Sequence, residues 1–170
     1  MDVPGIVVVD TSAAVEVLIA DASAHGIYVA LFEAIRVSGA ALAYNELLEA
    51  ELIEAAFTWD VRRMAARDWR RERRDMQLAR PMAREATILD EWEAFVGDFG
   101  ALRVPLHTVT RRACQLLSVT GLGSYDAVHA ATAEHLGARL ITHDRLLARA
   151  VNQFFGSIIG RSEEQHGSDS

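Results

Sequence analysis

Four consecutive apolar residues, Ile6-Val7-Val8-Val9, run directly into Asp10, and few folds accommodate that junction. A continuous β-branched run reads as a strand buried on both faces, the situation of a parallel sheet covered by helices. A carboxylate at its carboxyl end is costly to desolvate unless something pairs with it. The pattern recurs along the chain. Leu140-Ile141-Thr142-His143 leads into Asp144, Asp126 sits in Ser124-Tyr125-Asp126-Ala127, and Glu51 lies in Leu48-Glu49-Ala50-Glu51-Leu52. In α/β sheets the carboxyl edge of the strands is where ligands bind. Carboxylates gathered there repel one another unless a hard divalent cation such as Mg²⁺ or Mn²⁺ sits between them. These four acids therefore point to a metal site and to metal-assisted hydrolysis.

The remaining pattern supports the same class. After the Ile6–Asp10 strand, Thr11-Ser12 offer caps for a helix carrying Ala13, Ala14, Val15, Val17, Leu18 and Ile19. Ile27, Leu31 and Ile35 have helical spacing, giving a helix at about Ala24–Ala34. Ala40–Tyr44 reads as a second strand, and Asn45 as the cap of a helix through Leu47, Leu48, Leu52, Ala55, Ala56 and Phe57. Residues 58–99 are helical by composition, divided by Pro81 into an arginine-rich arm and an arm with Ile88, Leu89, Trp92 and Phe95. Leu102–Leu106 is a short strand, followed by a helix over Thr110–Thr120, a second over Ser124–Leu136 ending at Gly137, a strand over Arg139–Thr142 and a last helix over Asp144–Phe155. Strands alternating with helices predict an α/β/α sandwich around a mostly parallel sheet. We expect one domain over residues 1–158, with 58–99 as a helical arm within it. The polar tail, 159–170, is expected to be disordered.

Each acid has a plainer local explanation. Asp10 and Asp144 are placed to cap the helices that follow them, and Asp126 complements a helix dipole from the first turn. Glu46, Glu49, Glu51 and Glu54 share one helix and cannot all face inward at about 3.6 residues per turn. Glu51 falls on the Leu47/Leu48/Leu52 side, where a carboxylate needs a partner, whereas Glu54 and Glu46 read as a solvated face. His129 reads as a packed core residue rather than a ligand, and His143, beside Asp144, as a candidate substrate contact. No pair of histidines has zinc-ligand spacing, and no glycine-rich phosphate loop or nucleophile elbow is present.

The chain carries a net charge of −7, no lysine and a single cysteine, Cys114. One cysteine excludes an internal disulfide and reads as a small buried hydrophobe. No apolar stretch approaches the roughly 20 residues of a membrane span, and the N-terminus lacks a signal-peptide pattern, so a cytoplasmic protein is expected. Nine of the seventeen arginines lie between Arg62 and Arg84. Their alternation with acids suits a solvated helix, while Trp59 and Trp69 nearby offer either base stacking or core packing.

Three blocks then carry a family resemblance: Val7-Val8-Val9-Asp10-Thr11-Ser12-Ala13, Tyr125-Asp126-Ala127-Val128-His129-Ala130-Ala131-Thr132-Ala133, and Leu140-Ile141-Thr142-His143-Asp144-Arg145-Leu146-Leu147. In order and spacing they resemble PIN-domain ribonucleases, most closely the VapC-type toxins of toxin–antitoxin pairs, over nearly all of residues 4–158. The resemblance implies an acidic site of Asp10, Glu51, Asp126 and Asp144, with Asp10, Asp126 and Asp144 as metal ligands. Glu51 takes the family's glutamate role because it stands six residues after Asn45, in the place of the usual polar residue. Glu46 is the runner-up. It further implies Mg²⁺ or Mn²⁺ as cofactor, RNA such as tRNA or rRNA as substrate, a cognate antitoxin as partner, and a homodimer. The long 58–99 segment and Asn45 in place of serine depart from the pattern. Rival readings are a housekeeping nuclease of the same fold and a catalytically silent interaction module. A phosphatase using Asp10 as nucleophile lacks its second aspartate, since Ser12 occupies that position, and a receiver domain lacks its lysine.

Overall fold

The computed structural model describes residues 5–65 and 82–155. The described strands, β1 (Ile6–Val9), β2 (Ala41–Asn45), β3 (Leu102–Val104) and β4 (Arg139–Ile141), form one all-parallel sheet in the order β3-β2-β1-β4. The described helices are α1 (Thr11–Leu18), α2 (His25–Ser38), α3 (Leu47–Ala65), α4 (Met82–Phe99), α5 (Leu106–Thr120), α6 (Ser124–Leu136) and α7 (Arg145–Phe155). The architecture is the expected α/β/α sandwich.

The pleat explains why the central strand β1 is apolar throughout. Val7, Val9, Leu42, Tyr44 and Ile141 face α1–α4, whereas Val8, Ala43, Val104 and Leu140 face α5–α7. Successive side chains point to opposite sides, so a strand covered on both faces has no polar position to offer. On the first face Trp92 of α4 is fully buried, stacked on Phe95 and edge-on to Tyr44. On the second face α6 presents Ala127, Ala130, Ala131 and Ala133, whose small side chains let the helix lie close to the sheet.

Central β1 runs into α1 on one face, while its neighbour β4 runs into α7 on the other. Chains leaving adjacent parallel strands in opposite directions open a crevice at their carboxyl ends. The ladder reaches one residue past β1, with Asp10 N donating to Ile141 O at 3.0 Å, so Asp10 is fixed at the floor of that crevice.

Several expectations shift. β3 stops at Val104 and α5 begins at Leu106, because Pro105 has no amide hydrogen to donate and its φ of −65° suits a helix start. The helix read as starting at Thr110 thus begins a turn earlier. α2 extends to Ser38 and closes on Gly39 at φ 73°, a left-handed position that glycine takes without steric cost. Cys114 is exposed rather than buried, since the buried stripe of α5 is Val109, Ala113 and Leu116 and the next residue turns outward. The tail 159–170, Pro81, Trp69 and all of the arginine cluster beyond Arg62 in its first arm lie outside the described residues or side chains.

Candidate active site

Four elements bring the predicted acids together. Asp10 ends β1, Asp126 is in the first turn of α6, Asp144 follows β4, and Glu51 stands one turn into α3. Their proximity is electrostatic as well as topological. The Asp126 carboxyl is pushed above its ordinary range, first by burial and then by the charges of Asp144 and Asp10, with a smaller push from Glu51 and an opposing pull from His129.

Asp10 is 4% exposed and held by hydroxyls. Ser12 Oγ donates to its Oδ2 at 2.6 Å, Thr142 Oγ1 donates to the same oxygen, and Ser12 N reaches Oδ1 at 3.2 Å. The network continues across the crevice, where His143 N donates to Ser12 Oγ at 2.8 Å and Asp144 N to Thr142 Oγ1 at 2.9 Å. These bonds correct the expected capping of α1. Asp10 is itself the N-cap, and the Thr11 and Ser12 hydroxyls serve carboxylates instead.

Glu51 is fixed from two sides. Its Oε2 accepts from Thr11 Oγ1 at 2.6 Å and lies 2.7 Å from His129 Nε2. A carboxylate cannot donate, so the imidazole must carry its proton on Nε2. His129 is 1% exposed, and its Nε2 also stands 3.9 Å from Asp10 Oδ1. Burial pulls its pKa down most strongly, but the bond to Glu51 and the charges of Asp10, Glu51 and Asp126 outweigh it, and the net shift is upward. His129 Nδ1 is buried with no partner among the described residues. The histidine read as a core residue is packed as expected, but it is also the group linking Glu51 to the acids on β1 and α6. A signal for this existed: it lies three residues after Asp126, on the same helix face.

The alternatives for the other residues resolve plainly. Glu46 sits apart from the four acids: its Oε1 accepts from Leu106 N at 2.8 Å at the start of α5, and Oε2 stands 3.7 Å from Arg103. It is therefore not the solvated residue expected. Glu49 pairs with Arg103 and Tyr44, and Glu54 lines a cleft beside Glu51. Asp144 does cap α7, its Oδ1 accepting from Leu146 N at 2.6 Å and Leu147 N at 3.0 Å, while its charge still reaches Asp126. His143 Nε2 is 3.7 Å from Glu16, and its ring lies edge-on to Tyr28. Trp59 packs against the core.

The donor chemistry fits a hard cation. The candidate ligands are carboxylate oxygens, burial and then the charges of Asp144 and Asp10 raise Asp126, and among the described residues nothing donates to Asp126 or to Oδ2 of Asp144. A Cβ at position 123 would lie 3.3 Å from Asp126 Oδ2, so glycine there leaves that carboxylate its room. As placed, no three described acids, imidazoles or thiols close around a point that would hold an ion. Among the described residues no helix is long and apolar enough to cross a membrane.

The protein is a parallel α/β/α sandwich with acids at the carboxyl crevice of its central strands. The PIN domain family matches residues 7–152, and the chain belongs to that family, whose members are generally nucleases that use divalent metal ions. Among solved structures it is similar to the crystal structure of PAE2754 from Pyrobaculum aerophilum, at 25% identity and a TM-score of 0.50, covering 89% of this chain and 81% of that one. Comparison with curated proteins gives no match.

Proposed function

We propose that this protein is a Mg²⁺- or Mn²⁺-dependent endoribonuclease that acts as the toxin of a toxin–antitoxin pair. The observation carrying the hydrolase reading is the placement of Asp10 and Asp144 at the carboxyl ends of the paired strands β1 and β4, with Asp126 in the first turn of α6 and Glu51 on α3 close enough for their charges to act on one another. Such a cluster repels a phosphodiester, so substrate can approach only when cations offset the charge. Asp10, Asp126 and Asp144 would hold the ion, with Glu51 completing the site directly or through water. The divalent cation supplies, when bound, a more acidic water and neutralisation of the charge building on the phosphate.

The chain's own residues set the geometry. Ser12 and Thr142 tie up Oδ2 of Asp10 and so aim the carboxylate along one direction. Thr11 and His129 do the same for Glu51 through Oε2. Fixing these rotamers in advance removes an ordering cost from substrate binding. No covalent protein intermediate is required.

The toxin assignment rests on the three sequence blocks and their spacing. It carries with it a cognate antitoxin that would cover the acidic groove, a tRNA or rRNA target, and a homodimer for which the exposed Ile27, Val29 and Val37 of α2 offer an apolar surface. The deciding experiment is cleavage of labelled tRNA and rRNA by purified protein with Mg²⁺ or Mn²⁺ against EDTA, alongside Asp10→Asn. Cation-dependent cutting that Asp10→Asn abolishes supports the ribonuclease. Full activity in that variant sinks the assignment, and no cutting by folded, inhibitor-free wild type points to a silent interaction module. Growth arrest on expression, relieved by the product of an adjacent gene, separates toxin from housekeeping nuclease.

A further inference from the structure

Beside the acids a cleft of about 490 Å³ runs along α3, walled by Val15, Leu47, Ala50, Ala55, Trp59 and Tyr125. That volume lies within the roughly 300–1,000 Å³ of small-molecule pockets. The cleft shares Thr11 and Glu51 with the acidic site, so whatever lies in it is continuous with whatever the acids act on. We propose that it is a subsite for one unpaired nucleobase next to the phosphodiester being cleaved, with Tyr125 as its stacking surface. This rests on the nuclease reading above and adds where the strand lies.

Three observations favour a base over the other parts of a nucleic acid. The described wall is mainly apolar, which suits a flat uncharged ring, and its described basic residue, Arg62, stands at the end away from the acids. Glu51 and Glu54 on the lining repel phosphates from the end nearest the acids. Tyr125 is 55% exposed, and among the described residues no ring packs against it and no hydrogen bond holds it. A large aromatic left in solvent has no part in the core, yet this one immediately precedes Asp126 and faces the cleft. Every base has a π face, and stacking on an aromatic side chain is tolerant of sequence. Trp59, two helical turns from Glu51 and so about 12 Å along α3, lines the cleft towards its far end, where Arg62 follows.

The test measures binding without chemistry. Asp10→Asn protein in Mg²⁺ is titrated with fluorescently labelled 12-nucleotide single-stranded oligo(rA) and with the same backbone made abasic. With the subsite in place, oligo(rA) binds on the order of tenfold more tightly than the abasic strand. Tyr125→Ala, added to Asp10→Asn, erases that preference, and Tyr125→Phe keeps it. Ala55→Phe, which fills the cleft, erases it with Tyr125 intact. Thermal melts confirm that each variant folds. If wild type cleaves RNA but the base preference is absent, or survives Tyr125→Ala, the subsite is wrong and the nuclease reading stands. If wild type neither cleaves RNA nor binds either strand, both fall.

Discussion

His129 is where packing and chemistry of the site meet, and replacing it tests both. Its imidazole is buried at 1% exposure between α6 and the sheet, and its Nε2–H bonds Glu51 at 2.7 Å. Truncation to alanine removes a bond to a charged group, worth about 1.5–3 kcal/mol, and leaves a cavity. Large-to-small changes in cores cost about 2–5 kcal/mol. Against this, His129 Nδ1 has no partner among the described residues, so its removal returns about 1–3 kcal/mol of desolvation. The net is a loss of about 2–4 kcal/mol, or on the order of 10 °C in Tm for a chain of this size. His129→Phe restores most of the volume but not the bond and should lose about half as much. The sign of the pH dependence follows from the raised pKa. A histidine whose folded pKa exceeds its unfolded 6.5 contributes fully below 6.5 and loses that contribution as pH rises through the folded value. The difference between wild type and His129→Phe should therefore be larger at pH 6 than at pH 9. Urea unfolding in EDTA, at both pH values, measures it. A loss under about 1 kcal/mol for His129→Ala, or a difference that grows with pH, would refute the placement of this ring among ionised carboxylates.

Asp126→Asn should stabilise the cation-free protein at neutral pH. Its raised pKa means that the acid form is favoured on folding, a contribution present below 3.8 and lost as pH rises through the folded value, so the gain in Tm should vanish in acid. Thr142→Val removes a donor to Asp10 and an acceptor for Asp144 N, and should cost about 1–2 kcal/mol while lowering kcat more than it raises KM. Asp144→Ser should keep the α7 cap and most of the stability, whereas Asp144→Ala loses about 1 kcal/mol more. Both should lose cation-dependent cleavage, and retained cleavage in Asp144→Ser would assign the residue to capping alone.

The strands and the acids at their ends were legible locally because a strand buried on both faces permits no polar residue before its terminus. Ile6–Val9 and Asp10 show this directly, and in β4 only Leu140 and Ile141 are buried in this way before Asp144. Choosing between Glu51 and Glu46 was narrowed by helix phase, since Leu48 and Leu52 are fully buried and Glu51 lies on their side. Tertiary structure decided what lies across the crevice. Nothing in the chain joins Ser12 to Thr142, 130 residues apart, or Glu51 to His129, 78 apart. Those contacts exist because β1 pairs with β4 and because the small residues of α6 let it approach the sheet. Periodicity could place His129 in the core, but not the proton it shares there. The sequence by itself determined a parallel α/β/α fold, because burial and strand geometry act residue by residue, and it marked the acids as candidates. Which partner holds each carboxylate was decided only by the order of strands in the sheet, which brings chain-distant hydroxyls and an imidazole within hydrogen-bonding distance.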